Sequence, residues 1–243
     1  MISDFSNSND LFDKSTLSFL RVNCNFLNLE ECTRISFCSE DDFNDLFRAG
    51  VSVEAVVNKE DLFSLEQYLP KSQTIISLEA PLKLPFGGFS WFDIDYSDVI
   101  ENNLDKRYKE INDSIENLLN NIDKHIKNEN LNKDDISILG FSQGGSICWK
   151  LGLDFSPKFR RVIPVSSFIH PSYLNNKINT YKDLLIYSSH GSSDDVIPIN
   201  LVEEYILELS KNNKLTFETF NTGHTINQRN LVSLINWLDK TKI

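Results

Sequence analysis

Residues 140–144 have the types and spacing that nucleophilic chemistry requires. They read Gly-Phe-Ser-Gln-Gly, a G-x-S-x-G pattern, with an apolar β-branched segment at 136–139 before it and a helix-compatible stretch after it. In that context the pattern predicts a tight strand-to-helix turn that projects the serine from the end of a sheet. Glycines suit such a turn because they carry no side chain and tolerate unusual backbone angles. Ser142 is therefore a candidate nucleophile.

A nucleophilic serine needs a histidine within hydrogen-bond reach and a carboxylate that orients the histidine. His224 follows the last predicted strand, and loops at the carboxyl ends of parallel strands commonly hold active sites. His190 opens the segment 190–198, which contains the adjacent carboxylates Asp194 and Asp195. The chain order serine, acid, histidine then favours His224 as the base and one of these aspartates as the acid. The residues alone leave the choice between the two aspartates open.

The remaining histidines and the cysteines predict no metal site. His125 lies on a predicted long helix and is expected to face solvent, whereas His170 follows a strand and is expected to be structural. No histidine pairs with a cysteine at the spacing of zinc ligands. Four cysteines lack C-x-x-C spacing and are expected to be free thiols: Cys24, Cys32, Cys38 and Cys148.

Composition narrows the class of protein and of partner. The chain has 243 residues, of which 40% are hydrophobic, and this is enough for one sizeable core. Its 24 basic and 35 acidic residues give a net charge of −11, which argues against nucleic acids and anionic membranes as partners. No apolar run approaches the length needed to span a bilayer, and the chain opens with polar residues. We expect a cytoplasmic protein without stable membrane insertion.

Hydrophobic periodicity predicts strands that alternate with helices. The predicted strands are 17–22, 33–38, 51–57, 74–78, 136–139, 161–165, 184–187 and 215–220. The predicted helices are 41–48, 59–68, about 98–129, 145–153, 199–209 and 225–239. Repeated strand–helix–strand units imply a mostly parallel central sheet with helices on both faces. We expect one α/β domain over residues 1–243, with a frayed start at 1–16.

Four motifs resemble those of the carboxylesterase/phospholipase family of small α/β-hydrolases, which includes acyl-protein thioesterases and bacterial carboxylesterases. These motifs lie at 80–93, 140–145, 190–198 and 223–224. The similarity extends from about residue 58 to the end of the chain. It implies an α/β-hydrolase fold with no large lid, no cofactor, and a small-molecule acyl ester or thioester as substrate.

The resemblance also implies individual roles. The family's acid stands four positions after the histidine of its His-Gly motif, which corresponds to Asp194, while Asp195 occupies a position that is often proline. Ser142 would attack the carbonyl and His224 would accept its proton. The backbone N–H of Gln143 is expected to be one oxyanion donor. One of the two aspartates is expected to cap the helix that follows.

The chain departs from the family at the loop that donates the second oxyanion N–H. The family has a His-Gly motif with further glycines there, whereas residues 52–57 contain neither histidine nor glycine. A backbone donor needs no particular side chain, so Ala55 is the predicted second donor, although Val56 and Val57 resist positive-φ turns. Loss of one donor typically costs about 10²–10³ in rate. Either this region is arranged differently, with residues 23–50 contributing to it, or the enzyme is slow.

Three hypotheses for function follow. The first is a serine hydrolase for small or short-chain acyl esters or thioesters, with Gly87, Gly88 and Trp91 at the substrate; core packing is the alternative role of Trp91. The second is a degenerate hydrolase that binds a ligand or partner without turnover, because of the altered loop. The third, a lysophospholipase, needs an apolar lid that the sequence does not display. The sequence leaves the oligomeric state open, and a homodimer is one assembly that it allows.

Overall fold

Six parallel strands form the main sheet of the computed structural model, which describes residues 17–22, 67–69, 73–84, 88–93, 105–169, 173, 184–211 and 214–241. Its strands are β1 (Leu17–Val22), β2 (Gln73–Leu78), β5 (Ile136–Phe141), β6 (Arg161–Val165), β7 (Leu185–Gly191) and β8 (Lys214–Phe220). Their order in space is β2-β1-β5-β6-β7-β8, and all neighbours pair in parallel. A separate antiparallel pair consists of β3 (Leu82–Lys83) and β4 (Phe89–Ser90).

Helices connect these strands. They are α1 (Asp105–Asn128), α2 (Gln143–Asp154), α3 (Asn200–Ser210) and α4 (Gln228–Lys240), with a short 3₁₀ turn at Ser156–Lys158. The apolar stripe predicted for the long helix is confirmed, because Ile111, Ile115, Leu118 and Ile122 of α1 are buried. No helix in the described ranges is long and apolar enough to cross a membrane.

Strand β5 shows how the sheet is covered on both faces. Because successive side chains alternate between faces, Ile138 joins the larger core with α1, α2 and α3, whereas Leu139 joins a smaller core with α4. All six residues of β5 are buried, as expected for a parallel strand between two helical layers. The predicted mostly parallel sheet with helices on both faces is confirmed.

Predicted boundaries differ from the observed ones where a cap decides the start of a helix. Helix α4 begins at Gln228, three residues after the predicted start at 225, because the side chain of Asn227 accepts the backbone N–H of Asn230 at 2.9 Å and caps the helix. The predicted bounds of the described strands agree with the observed bounds to within four residues. The predicted elements at 33–38, 41–48 and 51–57, most of 59–68, and the start of the long helix lie outside the described residues.

The parallel arrangement brings three loops to one edge of the sheet. Strands β5, β7 and β8 run in the same direction, so the residues that follow Phe141, Gly191 and Phe220 leave the sheet at the same edge. This edge is where open parallel sheets place their binding and catalytic groups. Ser142 and the segments that contain Asp194 and His224 all follow these strands.

Candidate active site

Ser142 occupies the predicted turn between β5 and α2. Its backbone has φ 54° and ψ −119°, a left-handed conformation that costs a non-glycine residue about 1–3 kcal/mol. The turn is held because the Ser142 N–H donates to the Val165 carbonyl at 2.9 Å. A Cβ at Gly140 would lie 2.3 Å from the Gly144 carbonyl oxygen, so this position accepts only glycine. The surrounding packing therefore stabilises a strained serine.

His224 reaches Ser142 from the loop after β8. Its Nε2 lies 2.9 Å from Ser142 Oγ, and its Nδ1 lies 2.8 Å from Asp194 Oδ2. A carboxylate can only accept hydrogen bonds, so Nδ1 of His224 carries the proton. Nε2 is then free to accept a hydrogen bond from the hydroxyl of Ser142. The His224 ring also packs against Phe141, with 4.8 Å between ring centroids. Its side chain is only 7% exposed.

Asp194 is held in its loop by backbone donors. Its Oδ1 accepts the N–H groups of Val196 at 3.0 Å and Ile197 at 2.8 Å. Burial by itself raises the pKa of Asp194. This effect is outweighed by the hydrogen bond and charge of His224, by the N–H of Ile197 and by the charge of His190. The pKa of Asp194 therefore lies below its usual value. The carboxylate is therefore ionised at neutral pH.

The structure separates the two adjacent aspartates. Asp194 is buried and contacts His224, whereas Asp195 is exposed. The expectation that one of them caps the following helix is wrong, because α3 has Ile199 at its N-cap without a side-chain cap. Asp194 instead binds Val196 and Ile197, which precede that helix.

The loops of Asp194 and His224 are in direct contact. A Cβ on Gly191 would lie 2.2 Å from the carbonyl oxygen of Gly223, and the Ser193 N–H donates to Thr222 O at 3.0 Å. Only glycine allows the two backbones to approach so closely. This close approach places the His224 imidazole within hydrogen-bond distance of the Asp194 carboxylate.

Gln143 has a second role, which the sequence did not reveal. Its side-chain Oε1 accepts the N–H of Trp91 at 2.9 Å, and its Nε2 donates to the carbonyl of Phe92 at 2.9 Å. Its own backbone N–H is the first in α2, where N–H groups lack acceptors within the helix. One residue thus offers a backbone donor beside Ser142 and anchors a distant loop.

The predicted substrate-binding residues occupy different environments. Trp91 is 1% exposed and belongs to the larger core, and this burial favours core packing over a pocket wall. It borders a cleft of about 390 Å³ that also contacts Glu79 and Asn117, and none of the cleft's lining residues belongs to the Ser142–His224–Asp194 chain. Gly88 has φ 78° and accepts the Leu84 N–H at 3.0 Å, which turns the chain between β3 and β4.

Two predicted site residues, Gly87 and Ala55, lie outside the described residues, so their roles remain predictions. On one side, β5 pairs with β1, whose Val22 stands opposite Gly140.

The other histidines do not join this site. His125 is partly exposed on α1, with Nδ1 2.6 Å from Glu129 Oε1, and His170 lies outside the described residues. Over the described part of the chain, no group of three His, Cys, Asp or Glu side chains is placed to hold a metal ion. Cys148 is buried as a free thiol, and its burial raises its pKa well above the usual value.

A parallel sheet covered on both faces, with a serine on a strained turn after a central strand, defines the α/β-hydrolase fold. The chain belongs to the phospholipase/carboxylesterase family, whose sequence profile matches residues 64–242. The predicted family resemblance and fold class are thus confirmed, and membership supports an ester or thioester hydrolase. A search of curated protein sequences gave no match.

Solved structures agree with this fold at low sequence identity. A carboxylesterase from Mesorhizobium loti is 15% identical, with a TM-score of 0.67 over 94% of this chain and 90% of that one. The Bacillus cereus carboxylesterase is 16% identical, with a TM-score of 0.61 over 94% and 90%. Acyl-protein thioesterase 2 from Zea mays is 16% identical, with a TM-score of 0.55 over 93% of each chain. At such identities the likeness concerns the fold alone.

Proposed function

We propose that this protein is a serine hydrolase that cleaves carboxylic esters or thioesters of small or short-chain acyl groups through an acyl-enzyme. The observation that carries the proposal is the continuous hydrogen-bond chain from Ser142 Oγ to His224 Nε2 at 2.9 Å and from His224 Nδ1 to Asp194 Oδ2 at 2.8 Å. Nucleophile, base and orienting acid need this connection. Membership of an esterase family supports the same chemistry.

In the first half-reaction, Ser142 Oγ attacks the acyl carbonyl carbon while His224 Nε2 takes its proton. Asp194 keeps the proton on Nδ1 and stabilises the imidazolium that forms. His224 then gives its Nε2 proton to the leaving alcohol or thiol as the tetrahedral intermediate collapses. Ser142 is left as an ester of the acyl group.

In the second half-reaction, a water molecule attacks the acyl-enzyme, and His224 takes one of its protons. Collapse of the second tetrahedral intermediate breaks the bond to Ser142 Oγ, which receives the proton from His224. The products are the carboxylic acid and free enzyme.

The negative oxygen of each tetrahedral intermediate requires a preorganised donor. The position of Gln143 supports this role for its N–H, since the residue is adjacent to Ser142 and opens α2. The positive end of the helix dipole adds to its field. The predicted second donor, Ala55, would share the charge.

Fluorophosphonate labelling tests the proposal. The native protein should react, and Ser142→Ala should not, because the probe bonds to an activated serine oxygen. Ser192→Ala is the matched control, since Ser192 is exposed in the Asp194 loop. Native protein that stays unlabelled under conditions that label a related esterase would overturn the proposal.

Chain-length series separate the substrate classes. p-Nitrophenyl esters of two, four and eight carbons, with thioesters of the same acyl groups, should show the highest kcat/KM at the short end. This is the order that the proposed preference for small or short-chain acyl groups requires. A preference for the eight-carbon ester would contradict the proposed specificity for short-chain acyl groups.

Binding without turnover is the second candidate, favoured by the absence of glycine and histidine from residues 52–57. It predicts a rate of p-nitrophenyl acetate hydrolysis equal to that of Ser142→Ala. A native rate clearly above that of the variant would exclude it.

A further inference from the structure

A second histidine contacts the carboxylate that orients His224. His190, at the end of β7, is 1% exposed, and its Nε2 lies 2.7 Å from the carbonyl oxygen of Ile197 and 3.3 Å from Asp194 Oδ2. A carbonyl oxygen only accepts, so Nε2 carries a proton and donates to Ile197. Asp194 Oδ2 is a second, longer contact of the same nitrogen. The mechanism proposed above does not use this ring.

The contacts of His190 close a ring of three interactions around Asp194. Ile197 accepts from His190 through its carbonyl and donates to Asp194 Oδ1 through its N–H at 2.8 Å. Asp194 Oδ2 then faces both His190 and His224. Each carboxylate oxygen is therefore restrained, and the plane of the carboxylate cannot turn without breaking one of these contacts.

The charge state of His190 fits this position. The pKa of His190 is lowered, chiefly by burial and also by the charge of His224. The hydrogen bond to the Ile197 carbonyl and the charges of Asp194 and Glu203 raise it, but by less. A neutral ring can donate to Ile197 and contact the carboxylate without placing a second cation beside the imidazolium that His224 forms during catalysis.

We propose that His190 is a positioning residue that holds the Asp194 carboxylate in the plane that His224 Nδ1 requires. This proposal rests on the proposed function, because Asp194 matters to rate only if His224 acts as the base. His190 touches neither the reacting atoms nor Ser142 in the described contacts; it acts through Asp194 and Ile197.

Two substitutions separate positioning from packing. His190→Leu fills similar space without a donor, whereas His190→Gln keeps an N–H that can reach Ile197. We expect His190→Leu to lower kcat on p-nitrophenyl acetate about tenfold with little change in KM, the scale expected for loss of one buried hydrogen bond. His190→Gln should recover most of that loss. Equal kcat for native and His190→Leu protein, or equal losses in both variants, would overturn the proposal.

A spectroscopic measurement tests the same point without turnover. In Ser142→Ala protein, the Nδ1–H of His224 should give a far-downfield proton resonance, because the hydrogen bond to Asp194 deshields the proton and slows its exchange with water. Adding His190→Gln should preserve this resonance, and adding His190→Leu should broaden or abolish it. Its persistence in the leucine variant would overturn the proposal. If the native protein hydrolyses no ester, the proposed function fails, while this resonance still decides the role of His190.

If His190→Leu does not fold, His190→Asn takes its place, because the shorter amide cannot reach Ile197. The same loss of kcat and of the resonance is expected, and native values for both would overturn the proposal.

Discussion

The backbone N–H of Trp91 donates to the side-chain Oε1 of Gln143 at 2.9 Å, across 52 residues of sequence. The other end of the same amide donates to Phe92 O, so Gln143 completes two hydrogen bonds of the loop after β4. The residue is buried, at 6% exposure, and both of its partners are backbone groups. The nucleophile turn and this loop are therefore one connected unit.

Gln143→Leu should destabilise the protein by about 1–3 kcal/mol, because the buried Trp91 N–H loses its bond to Oε1 and the Phe92 carbonyl loses one of its donors while keeping the Ser90 hydroxyl. Urea unfolding of the two proteins measures the difference, with Ser192→Ala as the exposed control. KM for p-nitrophenyl acetate should also rise as the loop loses its anchor. A leucine variant as stable as the control would show that the amide contacts contribute nothing.

Asp194→Asn should lower kcat by about 10³–10⁴, because an amide at this position no longer selects the Nδ1–H tautomer of His224. Asp195→Asn is the matched comparison, since its side chain is exposed and adjacent in sequence. Its kcat should stay within about twofold of the native value, as expected for a surface change. Steady-state kinetics on p-nitrophenyl acetate measures both, and the reverse order of effects would assign the acid to Asp195.

Activity should fall as the solution is acidified, because only a neutral imidazole can accept the proton of Ser142. The rate of p-nitrophenyl acetate hydrolysis between pH 5 and 8 measures this dependence. A flat profile over that range would argue against His224 as the base.

Stability should also depend on pH, and His190 should cause the change near neutrality. Its folded-state pKa is lowered from a usual value of about 6.5, so the unfolded chain binds the proton first as pH falls. Stability contributed by neutral His190 is present above about pH 6.5 and declines below it, by at most about 1.4 kcal/mol per pH unit. The lowered pKa of Asp194 acts in a separate window, since its contribution is lost only as pH falls below about 4.

Urea unfolding at pH 7, 6 and 5 tests this assignment. His190→Gln should reduce the decline between pH 7 and 5, whereas His125→Gln, on the partly exposed surface of α1, should leave it in place. An unchanged decline in His190→Gln would assign the pH dependence to another group.

Asp135→Asn should destabilise the protein by about 3–5 kcal/mol, the usual cost of leaving a buried charge unpaired. Arg161 is fully buried, and its Nη1 donates to Asp135 Oδ1 at 2.6 Å, while its Nε donates to Thr241 Oγ1 at 2.9 Å after the end of α4. Asp135 precedes β5, at the end of the strand opposite Ser142, so kcat should be unchanged at temperatures where the variant is folded. Urea unfolding measures the loss, and a change below about 1 kcal/mol would contradict this account.

The sequence predicted local features better than contacts between distant segments. The turn at Ser142 was predictable because the crowding at Gly140 permits only glycine, and this requirement appears directly in the pattern. The start of α4 was missed because His224 occupies an extended loop that ends at the Asn227 cap, within a stretch of helix-compatible composition.

The contacts of Gln143 and His190 could not be predicted. Their partners are backbone atoms of Trp91, Phe92 and Ile197, and a backbone atom leaves no residue-type signal at its position. Asp194 and Asp195 likewise have the same chemistry in sequence, and only the course of the loop buries one and exposes the other. Roles of Ala55 and Gly87 stay predictions.

Strand β8 is the last strand along the described residues and one of the two edge strands of the described sheet, so it can dock without opening the sheet. During synthesis, domains acquire structure from the N-terminal side first. Ser142 and Asp194 therefore leave the ribosome before His224, and under the proposed mechanism a nascent chain that has reached only β7 carries Ser142 without its base. The hydrogen-bond chain that the proposed function requires is therefore completed only after the loop that follows β8 has been made.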